Sequence, residues 1–126
     1  MSLNKPKYTL FKNTRYALEG FVEVTRNEPS FRLQIVLFVF GMITAYLLPI
    51  QFHYKAILAT SLFIPIMAEI ANSAIERVVD LVTMDHHELA KRAKDAGAAL
   101  VFVSLALLAF IWTLTLAAAY GCVTLS

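Results

Sequence analysis

The sequence has one cysteine, Cys122, and only four glycines, Gly20, Gly41, Gly97 and Gly121, in 126 residues. A lone thiol cannot close an intrachain disulfide, and no spacing of Cys and His matches a zinc site. None of the glycines falls in a GxxxxGK(S/T) or GxGxxG pattern, so no loop of that kind is present to cradle phosphate with backbone amides. Charge is also scarce, at 16% of residues with a net +2, which is too little to argue for a nucleic-acid partner. Any nucleotide would have to be held by carboxylate-bound metal and by side-chain cations.

What the chain has instead is hydrocarbon. Apolar residues make up 59% of it and the mean hydropathy is +0.65, outside the range of ordinary soluble domains. A bilayer core of about 30 Å needs roughly 20 apolar residues per helix, and residues 33–52, 55–81 and 97–120 meet that requirement. The expected fold is all-α: a single membrane domain over 1–126 with three spans.

Lys5, Lys7, Lys12, Arg15, Arg26 and Arg32 precede the first span without an apolar core among them, which does not read as a cleavable signal peptide. Arg77, Lys91, Arg92 and Lys94 collect around the second loop, whereas the first loop has Lys55 alone and the tail beyond Gly97 has no Lys or Arg. The positive-inside rule then sets the amino terminus and second loop in the cytoplasm. The basic groups suit anionic lipid at that face. Residues 8–26 repeat Leu10, Phe11, Ala17, Leu18, Phe21 and Val24 at helical spacing, with Lys12, Arg15, Glu19, Glu23 and Arg26 on another side. This predicts an amphipathic helix on the membrane surface. Pro29 in NEPSF suits the first turn of a new helix, with Glu28 at its mouth.

The stretch AEIANSAIERVVD, residues 68–80, sets carboxylates into the second span. At 100° per residue Glu69, Asn72, Ser73, Glu76 and Asp80 fall within an arc of about 100°. A charge at a span's centre costs about 2.5–3.5 kcal/mol on insertion scales and nearly always faces a bundle interior or a cavity. Glu69 should lie inside the membrane near the cytoplasmic boundary, and Glu76 about 10 Å further on, at the interface. The acids need a counter-ion. Mg²⁺ is one answer, because it uses one or two carboxylates together with substrate phosphates, and Glu28 and Glu76 form such a pair; Lys or Arg of the loop is the other. TMDHHELAKRAKDAG reads as a polar connector, with His86 and His87 solvated and pointing about 100° apart. Trp112 and Tyr120 read as packing or interface anchors.

EIANSAIERVVDLV, then HHELAKRAKDAGAA, with NEPSFR ahead of the first span, closely resembles the small prokaryotic diacylglycerol kinases across roughly residues 8–120. The resemblance implies a homotrimeric kinase of the bacterial inner membrane, with active sites shared between subunits, that transfers the γ-phosphate of ATP to diacylglycerol. By matching position it implies Glu69 as catalytic base with Asn72 beside it, and Glu28 and Glu76 as Mg²⁺ ligands. It implies nucleotide contacts from Tyr16, Glu28, Glu76, Asp85, His86, His87, Lys94 and Asp95. For the lipid it implies Glu69, Ser73, Arg32, Ala98 and Trp112. Partial desolvation would make an interior carboxylate a better proton acceptor. Two positions depart from the pattern: Tyr8, Thr9 and Leu10 stand where many relatives carry an Arg, with Arg15 the nearest replacement, and Gln34 stands where a carboxylate is common. A branch of the family that phosphorylates undecaprenol is the alternative enzyme. A small membrane scaffold or channel subunit, its acidic stripe only joining helices, is the non-enzymatic alternative.

Overall fold

A computed structural model describes residues 9–122. Tyr8, the expected start of the surface helix, and the Lys5 and Lys7 charges lie outside the described residues. Five helices follow one another: α1 (Leu10–Asn27), α2 (Pro29–Leu47), α3 (Phe52–Ser61), α4 (Phe63–Val82) and α5 (Glu88–Ala119). Helices alone satisfy every backbone group inside hydrocarbon, and three stretches are long and apolar enough to cross it: α2, the nearly continuous α3–α4 from Phe52 to Val82, and α5.

The helix ends follow from local chemistry. Thr9 caps α1 by accepting a hydrogen bond from the Lys12 amide. Glu28 breaks α1 from α2 in an extended conformation, as expected of a residue before proline, and Pro29 opens α2. Leu48, extended ahead of Pro49, stops α2 at Leu47, so the first span runs 29–47 rather than 33–52. The expected polar connector is shorter than the sequence suggested. His87 Nδ1 accepts from the Leu89 amide, and the pairs Glu88–Arg92 and Lys91–Asp95 extend α5 backward from the apolar run. At the far end Gly121, at φ 72°, closes α5: its amide bonds the Ala118 carbonyl while the Cys122 amide reaches Ala117.

Proline also divides the second span. Pro65 has no N–H for the Ser61 carbonyl one turn back, and the helix gives way at Leu62. Ser61 Oγ donates to the Leu58 carbonyl and accepts from Trp112 Nε1 of α5 at 3.1 Å. The anchoring role expected of Trp112 is thus a tie between α5 and the broken turn.

The buried positions are mostly small: Gly41, Ala45, Ser61, Ala68, Ser73, Gly97, Ser104 and Thr115. Association inside a membrane rests on close packing of such residues, because lipid tails are as apolar as leucine. Gly41 is one example, since a Cβ there would lie 2.7 Å from Leu62 Cδ2. Around one end of the bundle α1 folds back on α2, with Phe21 edge-on to Phe31 at 5.4 Å and Arg77 of α4 gripping Glu23. That end gathers α1, the start of α2, the end of α4 and the start of α5.

Candidate active site

In α4 the buried residues are Pro65, Ala68, Glu69, Asn72 and Ser73, the i, i+3, i+4, i+7, i+8 stripe of one helix face. Most of the contacts of α4 are with α5 and α2, so the stripe faces the wedge between them and the acids turn inward.

Glu69 is 5% exposed. Ser30, in the first turn of α2, donates its hydroxyl to Glu69 Oε1 at 2.6 Å. The first turn of a helix carries partial positive charge, so the carboxylate lies where an anion is favoured without meeting a cation. One oxygen is held by Ser30, and the other has no hydrogen-bond partner among the described residues.

One turn on, Asn72 Nδ2 donates to Glu76 Oε1 at 3.3 Å, and Asn72 Oδ1 is buried without a partner. The oxygen presses on Gly97 of α5, where an added Cβ would overlap it. A buried acceptor left unpaired costs about 1–3 kcal/mol, and such groups gather where a ligand or water is to be met. Ser73 is almost wholly enclosed, at 2% exposure.

The acids on this stripe have different partners. Asp80 binds Lys94 of α5 at 2.6 Å, the loop-cation partner that the sequence left open as an alternative to metal. Glu76 makes no ion pair among the described residues, and its only hydrogen-bond partner there is Asn72. Glu28 is reached by Arg77 Nη2 at 3.5 Å, while Arg77 Nη1 holds Glu23. The Arg77 guanidinium holds the Glu23 carboxyl below the usual carboxylate range, against partial desolvation and with help from the Asn27 amide.

A cleft of about 380 Å³ opens between the end of α4 and the start of α5, within the size range of small-molecule sites. Asp80, Asp85, His86, His87, Lys94 and Asp95 line it together with Lys91, which brings five of the expected nucleotide residues to one place. Tyr16, Glu28 and Glu76 do not line it. Tyr16 stands half-exposed on α1, and Arg15 is paired with Glu19. Arg32, expected at the lipid, donates to the Thr25 and Arg26 carbonyls and so caps the end of α1. Ala98 is exposed on α5 beside Gly97. Trp112 lies 14 residues further, about 21 Å along the helix, so the two are set at different depths.

Among the described residues no three His, Cys, Asp or Glu side chains converge into a metal cage. The donor set fits a hard divalent ion completed by phosphate oxygens, which asks for only one or two carboxylates: Glu76 makes no direct ion pair among the described residues, although Lys94 lies near enough to feel its charge, and Glu28 is tied to the adjoining turn of α4. Sequence reasoning did not single out Ser30, Glu23 or Gly97 for the site, and it took Arg77 as lying off the acidic face. Their partners are distant in sequence, and only the Ser after Pro in NEPSF hinted at a polar group in the first turn of α2.

The model of the family described as prokaryotic diacylglycerol kinase matches residues 15–116. The chain is 36% identical to a diacylglycerol kinase of Pseudomonas aeruginosa over 99 residues, 79% of this chain and 80% of that protein. It is 36% identical to one of Haemophilus influenzae over 109 residues, 82% and 87% of the two. With the diacylglycerol kinase of Escherichia coli strain K12 it shares 31% identity over 122 residues, 96% of this chain and all of that protein.

Proposed function

The chain belongs to the prokaryotic diacylglycerol kinase family, and on that premise we propose that it moves the γ-phosphate of ATP onto the free hydroxyl of diacylglycerol, giving phosphatidic acid. It is an enzyme, a lipid kinase. The observation that carries the reading is the pairing of a buried, singly hydrogen-bonded Glu69 with Glu76, which makes no direct ion pair among the described residues, two turns along the same face. The relatives named above are diacylglycerol kinases, which favours that acceptor over undecaprenol.

Phosphoryl transfer asks for positioning and charge neutralisation more than for covalent help from the protein. Glu69, its Oε1 held by Ser30, takes the proton of the lipid hydroxyl. The hydroxyl oxygen then bonds to the γ-phosphorus while the bond from that phosphorus to the β–γ bridging oxygen breaks, and ADP leaves. Glu28 and Glu76 are the residues for a divalent ion, Mg²⁺ in this proposal, which when bound neutralises charge on the phosphates. Asn72 steadies Glu76 beside the base. Lys94 and Asp95, with Asp85, His86 and His87, hold the nucleotide in the α4–α5 cleft. Ala98 lies beside the acceptor.

The cationic residues around the cleft support a cytoplasmic amino terminus and an inner-membrane location. A homotrimer accounts for α5, which buries only Gly97, Ser104 and Thr115 of its 32 residues. The experiment is phosphate transfer by the purified chain in mixed micelles with ATP and either diacylglycerol or undecaprenol. Phosphatidic acid formation that requires Mg²⁺ and is lost in Glu76→Gln is the expected result. Preference for undecaprenol would change the acceptor, and transfer to neither lipid would contradict the kinase reading.

A further inference from the structure

Arg77 stands out among the charged residues of the site end. It lies one residue past Glu76 but about 100° around the helix from it, on the side of α4 that faces α1. Its planar fork is divided between two helices' worth of carboxylate: Nη1 on Glu23, and Nη2 on Glu28 Oε1 at 3.5 Å. The two contacts are unequal. Glu23 is the firm anchor, with its own carboxyl further organised by Asn27 Nδ2 at 2.7 Å, whereas Glu28 is held at long range and its side chain is 26% exposed.

This arrangement sets up a competition. A divalent ion shared by Glu28 and Glu76 needs the Glu28 carboxylate on the Glu76 side of α4, and Arg77 draws it to the other side. When Glu28 turns to an ion, Nη2 loses its partner while Nη1 stays anchored, so a guanidinium edge is left free beside the ion. A guanidinium fork is well matched to phosphate oxygens and stays charged at every working pH. Resting on the proposal that Glu28 is a metal ligand, we infer that Arg77 is a nucleotide-phosphate contact. In the structure it is held on Glu28, and it passes from that carboxylate to the triphosphate as an ion takes its place, with Glu23 as its fixed hinge.

Two affinities should therefore move in opposite directions when Arg77 is removed. The test uses the full chain in detergent micelles, with Mn²⁺ alone followed by electron paramagnetic resonance and Mg²⁺ with a non-hydrolysable ATP analogue followed by calorimetry. In Arg77→Ala, Mn²⁺ alone should bind several-fold tighter, because Glu28 no longer has a competing cation. The nucleotide analogue should bind about tenfold or more weakly, the loss of a charge-assisted contact. Arg77→Lys, with a point charge and no fork, should fall between. Glu23→Gln frees Arg77 to settle on Glu28 and should weaken Mn²⁺ binding. Helicity by circular dichroism confirms that each variant is folded. Affinities that fall together, or either one left unchanged in Arg77→Ala, would overturn the inference and leave Arg77 as a strut between α1 and α4. Glu28→Gln separates the underlying reading: a variant that still binds Mn²⁺ with undiminished affinity removes Glu28 from the metal site, whatever Arg77 does.

Discussion

Ser30 Oγ donates to Glu69 Oε1 at 2.6 Å, across 39 residues of sequence and from one transmembrane helix to another. The bond fixes one carboxylate oxygen and with it the orientation of the other. Ser30→Ala should leave the helices packed as before, since one exposed-side hydroxyl is removed, but should alter the proton acceptor. The kcat of phosphate transfer should fall by about tenfold with KM for ATP unchanged, because the carboxylate is no longer held in one orientation. Steady-state kinetics of phosphate transfer check this, and an unchanged kcat would show the bond to be incidental.

Gly97 presents the opposite case, a contact made possible by a missing side chain. Gly97→Ala would drive a methyl group into Asn72 Oδ1, and overpacking of this kind costs about 1–3 kcal/mol. The expected result is a lower thermal midpoint in detergent together with lower activity. Adding Asn72→Ala makes room, so the double variant should regain stability without regaining activity. Stability that is not recovered would mean that the methyl group meets something other than Asn72.

Trp112 offers a control on the depth of the site. Its indole ties α5 to Ser61 at the break above Pro65, and Ser61 is eight residues, about 12 Å along the helix, from Glu69. Trp112→Phe keeps an aromatic side chain but replaces the indole with a smaller ring that has no N–H, and the lost hydrogen bond within a membrane should cost about 0.6 kcal/mol, up to 1.7. Kinetically, KM for short-chain diacylglycerol should hold while the thermal midpoint drops slightly. A large rise in KM for a short-chain substrate would return Trp112 to the lipid, as the family resemblance implies.

Much of this was legible in the sequence, because a membrane makes hydropathy decisive. The three spans follow from hydrophobic length, and the inward face of α4 follows from the spacing of Glu69, Asn72, Ser73 and Glu76. Helix ends were less legible where two signals competed. Residues 88–96 read as a connector by polarity, yet their i, i+4 charge pairs and the His87 cap make them helix. The break at Leu62 was missed because Pro65 sits in an otherwise continuous apolar run. Side-chain partners distant in sequence were the hardest to read: periodicity gives the face that Glu69 occupies but not that Ser30 waits there, and it set Arg77 off the stripe without showing that Glu23 and Glu28 lie on that side.

The central claim is that Glu69 is the proton acceptor while Glu76 and the α4–α5 cleft hold the nucleotide and its ion. The most direct measurement is phosphate transfer from ATP to diacylglycerol by Glu69→Gln, made alongside binding of Mg²⁺ with a non-hydrolysable ATP analogue by the same protein. Transfer should fall by about 10²–10⁴-fold, the usual contribution of a general base, with nucleotide affinity unchanged. Transfer within a few-fold of the unsubstituted chain, or a loss explained by weakened nucleotide binding, would contradict it.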